Sequence, residues 1–217
     1  MSNQKNDPEK GTQLVISAPN MQEAEFKIIG TAPYVQLRFS EKAINQMKTK
    51  MMAGSQAKSK KVREPRDFDA DYEAAFHRPA EGGFGIPASA FRNAFISACR
   101  IVGFTMTRAK LAVFVQADDF DGYDGMPLVR LNGEPEKVEH YVRNETGVVD
   151  IRVRAMWRKW SAALRVMFDG DMFSITDIAN LVARAGLQVG VGEGRPDGKK
   201  SAGMGWGLFK IQEGVNG

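Results

Sequence analysis

At 217 residues, with 43% hydrophobic and 26% charged residues, the chain is long enough to bury one core and too ordinary in composition for wholesale disorder. Its net charge of +4 and pI near 9.2 permit a nucleic-acid partner without requiring one. A single cysteine, Cys99, excludes an intrachain disulfide and a cysteine-rich zinc site, and its apolar helical setting makes it a small core residue.

In chain order, residues 1–24 are polar apart from Leu14-Val15-Ile16 and read as a flexible arm able to add a strand. The opening residues lack the apolar run of a signal peptide, and no stretch reaches the roughly 18 apolar residues of a membrane span. The expectation is a soluble, cytoplasmic protein with no membrane partner. One domain is expected over residues 25–213. Phe26–Phe39 is its first strand region, with Gly30 and Pro33 marking a bulge or break. Ser40 is placed to cap a helix bearing Ile44, Met47 and Met51, which runs out at Gly54.

A flexible basic insertion is expected at about residues 53–80. Lys58, Lys60, Lys61, Arg63 and Arg66 give the chain its strongest charge asymmetry. Such a run is either a solvated loop or a phosphate clamp that orders on binding. Asp67, Asp69 and Asp71 follow at once and are able to neutralise it from within the chain.

Gly85–Arg100 is the clearest helix, opened at Pro87, with Phe91, Ala94, Phe95, Ala98 and Val102 on one apolar face. Ser89, Arg92 and Asn93 lie near its start, where side chains and the helix dipole together hold an anion. Leu111–Val115 reads as an apolar strand covered on both faces. Asp118, Asp119, Asp121 and Asp124 then crowd one short segment. Calcium-loop spacing is absent and all four carboxylates lie in one local turn, so a solvated turn is expected here, with no metal and no cofactor.

Pro127–Leu131 and Val138–Arg143 suggest paired strands about Asn132-Gly133. From Val148 the chain alternates, with Arg152 and Arg154 on one face, and an opposite phase over Ala162–Phe168 requires a bulge or turn near Trp157–Ser161. Arg152, Arg154, Trp157, Arg158, Lys159 and Trp160 interleave cations with aromatic faces. A single-strand-binding surface needs that combination, because phosphates attract charge and bases stack on rings. The competing reading is a sheet whose tryptophans belong to the core.

Ser174–Gly186 is a punctuated helix, with Ser174 and Asp177 as a capping box, Phe173 and Ile178 as a staple, and Gly186 as its end. It leads into Gly190-Val191-Gly192-Glu193-Gly194-Arg195, then Lys199, Lys200 and a closing strand from Trp206 to Ile211. Backbone amides of such a loop form a concavity for phosphate, Gly192 and Gly194 admit close approach, and Trp206 offers a stacking face; a plain glycine-rich hairpin is the alternative. His77 and His140 have no motif around them, and no Ser-His-Asp or Cys-His set is visible, so no enzyme is expected.

The order of elements fits an α+β fold with a ferredoxin-like, RNA-recognition-motif-like β-α-β-β-α-β core carrying insertions. Ile86-Pro87-Ala88-Ser89-Ala90-Phe91-Arg92 resembles a helix start of the RAMP superfamily, the crRNA-binding backbone subunits of CRISPR effector complexes, with Ala88 where that family usually carries glycine. The glycine-rich segment 190–195 and Trp206-Gly207-Leu208-Phe209 resemble that superfamily's C-terminal signature. Ile29–Pro33 and Lys60–Arg66 are also similar to small proteins of tailed bacteriophages. These resemblances imply a protein that polymerises head to tail, as a filament or ring, along single-stranded DNA or RNA. Phage replication or recombination is the implied setting. A crRNA-holding subunit, or a self-assembling structural protein that ignores nucleic acid, is the alternative.

Overall fold

The computed structural model describes residues 16–38, 41–53, 65–143, 147–198 and 203–213. Lys58, Lys60, Lys61, Arg63, Lys199, Lys200 and the proposed cap Ser40 lie outside the described residues. Strand β1 runs from Met21 to Gly30, so the expected arm gives up its last four residues to a strand. Its alternation decides its faces: Phe26 and Ile28 are buried, whereas Glu23, Glu25 and Lys27 face out.

The four-stranded sheet joins β1, β4 (Val113–Val115), β9 (Ser161–Asp169) and β10 (Phe209–Ile211) in the spatial order β10-β1-β9-β4, every neighbouring pair antiparallel. Helix α3 (Ala88–Ile101) falls between β1 and β4 in the chain, and α5 (Ile175–Arg184) between β9 and β10. Counting only these strands, the order is fourth, first, third, second, with a helix after the first and third. That is the ferredoxin-like β-α-β-β-α-β arrangement. Phe91, Phe95, Ile178 and Val182 from the helices meet Ile28, Leu164, Val166, Phe168 and Phe209 from the sheet in one dry core. The open face carries Glu23, Glu25, Lys27, Arg165 and Lys210, a mixed set of charges. Strand β4 is an edge strand preceded by α4 (Met106–Ala112), and Leu111 is exposed; the expected central strand is corrected to a helix end and a three-residue edge.

Two small sheets are built onto this core. One orders β2 (Tyr34–Gln36), β8 (Val149–Trp157) and β7 (Glu136–Arg143); the other orders β3 (Phe84–Pro87), β6 (Pro127–Leu131) and β5 (Asp119–Phe120). The expected hairpin between β6 and β7 is therefore not made, because β6 pairs with β3 and β5 while β7 pairs with β8. Helix α1 (Glu41–Ala53) leaves Met51 and Met52 exposed, and α2 (Phe68–Glu73), capped by Asp67, packs on β8 inside the expected insertion.

The break expected at Gly30–Pro33 and the turn expected at Trp157–Ser161 are one feature. Strand β1 pairs with β9 up to Ile29 opposite Ser161, and β2 resumes with Tyr34 opposite Trp157. Four residues (30–33) thus face three (158–160), a one-residue bulge in a single long ribbon. Trp160 fills the bend: its Nε1 donates to Ala32 O at 2.9 Å, and a Cβ on Gly30 would sit 2.1 Å from the indole.

Candidate nucleic-acid interface

The capping box at Ser174 and Asp177 forms as expected, but Gly186 does not end the helix. After Arg184 the chain tightens into a π-helical turn, Ala185–Val189, before Gly190 turns away with φ 74°. Gly186 is required for closeness instead, since a Cβ there would lie 2.3 Å from Phe209 O. The glycine segment that follows is pinned by alternate amides. Val191 N–H donates to Gly207 O at 3.0 Å and Glu193 N–H to Val35 O at 2.9 Å, while Gly207 N–H reaches Pro33 O at 2.7 Å. Gly192 packs on Tyr34 and Gly194 on Trp206, each with positive φ and no room for a Cβ. The intervening amides of Gly192, Gly194 and Arg195 have no backbone partner among the described residues.

That pinning sets the glycine segment opposite the start of α3 across a cavity of about 400 Å³. Ser89 and Asn93, one turn apart on α3, line one side, and Gly192, Glu193 and Arg195 line the other. Ser89, Asn93, Gly192 and Arg195, the two pairs separated by about a hundred positions and singled out in the sequence for anion binding, share one wall-to-wall site. The floor comes from residues the sequence did not mark: Gln36 and His77. Gln36 Oε1 accepts from His77 N–H at 3.0 Å, and its Nε2 donates to Gly85 O at 3.1 Å and Tyr34 Oη at 3.0 Å. Burial pushes the Tyr34 phenol far above its usual range, outweighing the Gln36 hydrogen bond, so it stays neutral. No local pattern announces His77, because its partner Asp121 is 44 residues away.

Other expected contacts are spent inside the protein. Trp157 is fully buried and Trp160 is 4% exposed, packed among Tyr34, Phe76, Phe84 and Phe209, so neither presents a stacking face. This corrects the stacking-platform expectation: a ring at the bend between two sheets is worth more as core than as surface. Arg92 turns back to donate to Val113 O at 3.2 Å and to Lys110 O, away from the anion site. Arg158 pairs with Glu136 at 2.6 Å, and Arg66 with Asp71 at 2.6 Å and Asp150 at 3.2 Å. Arg154 is buried on β8 and grips Glu193 at 2.5 Å, tying the glycine segment to the small sheet. Arg152 and the exposed Lys159 make no ion pair among the described residues. Trp206 is half-buried beside His140, ring centres 5.3 Å apart. Burial and the nearby Arg154 hold the His140 imidazole below its usual range, against an opposing pull from Glu193.

The acidic segment forms tight turns: Asp119 accepts from Phe120 N–H, Asp121 from Tyr123 N–H and Asp124 from Met126 N–H. It is not uniformly solvated, for Asp121 is 4% exposed. Among the described residues, His77, Asp121 and Asp124 are the group whose ligand atoms gather within 4.8 Å. The Arg38 guanidinium stands 3.7 Å from Asp121 and 3.9 Å from Asp124, so a side-chain cation already serves both carboxylates and the set does not fit a metal.

The fold and cleft define an α+β protein of ferredoxin-like topology with two added sheets and a polar cavity at the glycine segment. No family model matches the chain, and no curated protein matches it in sequence. Among solved structures, the chain is similar to one in the cryo-EM structure of the Type III-B Cmr-beta bound to cognate target RNA, with a TM-score of 0.44 and 10% identity. That alignment covers 89% of this chain and 60% of the other, so the chain spans about three fifths of that other chain's length. No helix among the described residues is long and apolar enough to cross a membrane.

Proposed function

We propose that the protein binds single-stranded DNA or RNA, gripping the strand at the cleft between α3 and the glycine segment, without acting as an enzyme. The observation that carries this reading is the convergence of Ser89, Asn93, Gly192 and Arg195 on one cavity. Hydroxyl and amide donors at a helix start, with the Arg195 guanidinium and amides of a glycine segment opposite, are what a phosphodiester needs. Arg152, Lys159 and half-buried Trp206 extend the surface, and the Lys58–Arg63 run would add a clamp. The resemblance to RAMP proteins supports assembly of copies along a strand, in phage replication or recombination or in a crRNA-holding role.

The test is fluorescence anisotropy of labelled single-stranded DNA, single-stranded RNA and duplex DNA across a salt series. Single strands are expected to bind better than duplex, with affinity falling steeply as salt rises. Arg195→Ala should weaken binding and lower the salt slope by about 1. No binding of any strand at low salt ends this reading.

A self-assembling structural protein is the second reading, favoured by α1, which leaves Met51 81% and Met52 89% exposed. Oligomers that form without nucleic acid and ignore its addition, alongside absent strand binding, would select it.

A further inference from the structure

His77 stands out because every group around its ring except one is committed. Its backbone is clamped from both sides: the N–H donates to Gln36 Oε1, and the carbonyl accepts from Gly85 N–H at 3.0 Å. Nδ1 lies 2.8 Å from Asp121 Oδ2. The other Asp121 oxygen accepts from Tyr123 N–H at 2.9 Å and lies 3.7 Å from Arg38 Nη2. Both side chains are shielded, with His77 10% and Asp121 2% exposed. A carboxylate accepts only, so Nδ1 must carry the proton of that bond. With that single proton on the ring, Nε2 is a bare acceptor. Nε2 has no partner among the described residues, and His77 lines the cavity that Ser89, Asn93 and Arg195 surround.

From this geometry we infer that His77 is a specificity-determining acceptor, which reads a hydrogen-bond donor on one nucleotide held in the cavity. The inference rests on the strand-binding function proposed above. Ser89, Asn93 and Arg195 hold the phosphate at the rim. A cavity of about 400 Å³ accepts a group the size of a nucleoside, within the usual range for small-ligand sites. Phosphate offers no donor, so the acceptor does nothing for backbone grip. It favours a strand presenting a 2′-hydroxyl or an exocyclic amino group, and leaves Nε2 unsatisfied when neither is present. The Asp121 carboxylate is a positioning group: it fixes the tautomer, and through it the sign of the recognition.

The experiment measures anisotropy at about pH 8, where an ordinary imidazole is neutral. The probes are four oligomers of one length: oligo-A RNA, its 2′-O-methyl form, oligo-dA, and a deoxy-oligomer of purine, which is adenine without its amino group. Wild-type protein should prefer the donor-bearing member of one pair by about 3- to 10-fold, the effect of one neutral hydrogen bond. RNA over 2′-O-methyl RNA assigns the sugar hydroxyl; oligo-dA over oligo-purine assigns the amino group. His77→Phe should erase that preference. Asp121→Asn, which keeps the hydrogen bond but imposes the other tautomer, should erase it too. Because Asp121→Asn threatens folding, ¹⁵N NMR of the wild-type imidazole gives a second readout: Nε2 should be the unprotonated nitrogen and should shift on adding the preferred strand. A protonated Nε2 overturns the inference. So does a preference that survives His77→Phe, or equal binding of all four oligomers. Equal binding leaves the strand-binding function standing, whereas binding of none ends both.

Discussion

The ion pair between Arg154 and Glu193 gives the most decisive test of how the glycine segment is held. Its two ends are unequal, with side-chain exposures of 9% for Arg154 and 34% for Glu193. Glu193→Ala leaves a guanidinium in the protein interior with its charge uncompensated. Breaking a buried pair from one side costs about 3–5 kcal/mol, and the solvent that reaches Glu193 lowers the expectation here to about 2–3 kcal/mol. Arg154→Met removes the buried charge and fills its space with apolar atoms, while Glu193 is free to turn to water. That change should cost about 1 kcal/mol or less. The assay is urea unfolding followed by tryptophan fluorescence, comparing midpoints at constant slope. The double variant Arg154→Met/Glu193→Ala should be more stable than Glu193→Ala alone, since it has no stranded charge. If Arg154→Met costs as much as Glu193→Ala, or if both fall within about 0.5 kcal/mol of wild type, the pair is not a latch on the glycine segment.

Trp157→Ala should destabilise the fold by about 3–5 kcal/mol, as expected for a large ring removed from a core, whereas Trp206→Ala should leave the unfolding midpoint nearly unmoved and instead weaken strand binding by about 1–3 kcal/mol, both read from paired unfolding and anisotropy curves. Gly207→Ala places a Cβ 1.7 Å from Val191 O at φ 71°, so it should cost well over the roughly 1–2 kcal/mol of a left-handed residue alone; Gly205→Ala, at φ 72° with nothing within 4 Å, should cost only that, and equal losses would show the glycine contact to be unimportant. Burial pushes the Asp121 carboxyl up, but the Tyr123 amide, His77 and Arg38 together hold it below the usual carboxylate range. Its stabilising contribution is therefore complete above the unfolded value of about 3.9 and is lost as pH falls through the lower folded value, so Asp121→Asn should flatten the acid limb of stability against pH; an unchanged limb would count against that pairing.

The parts of the fold that were legible in the sequence are those written in local period and punctuation. Pro87 and the Phe91–Ala98 stripe give α3, the Ser174–Asp177 box gives the start of α5, and the phase change between Val153 and Ala162 gives the bend at Trp160. What could not be read was pairing at a distance. Nothing local tells β6 to choose β3 over β7, because both alternatives offer apolar alternation and a turn. The site divides the same way. Ser89, Asn93, Gly192 and Arg195 carried chemical signals at a helix start and in a glycine segment. His77 and Asp121 did not, since neither has meaning until the fold brings one to the other. The tryptophans misled because a cationic, aromatic segment reads alike whether its rings point to water or to the core. Only the bulge, which turns Trp157 inward while Arg158 and Lys159 stay exposed, decides between them.

That bulge also bears on the cleft. The four-stranded sheet and the β2-β8-β7 sheet are two ends of one unbroken ribbon, bent around Trp160. The extra residue on one edge sets the angle at which the two ends meet. Glu193 hangs from the far end through Arg154, while α3 rides on the near one. The two walls of the cleft are thereby tied to opposite ends of the same ribbon.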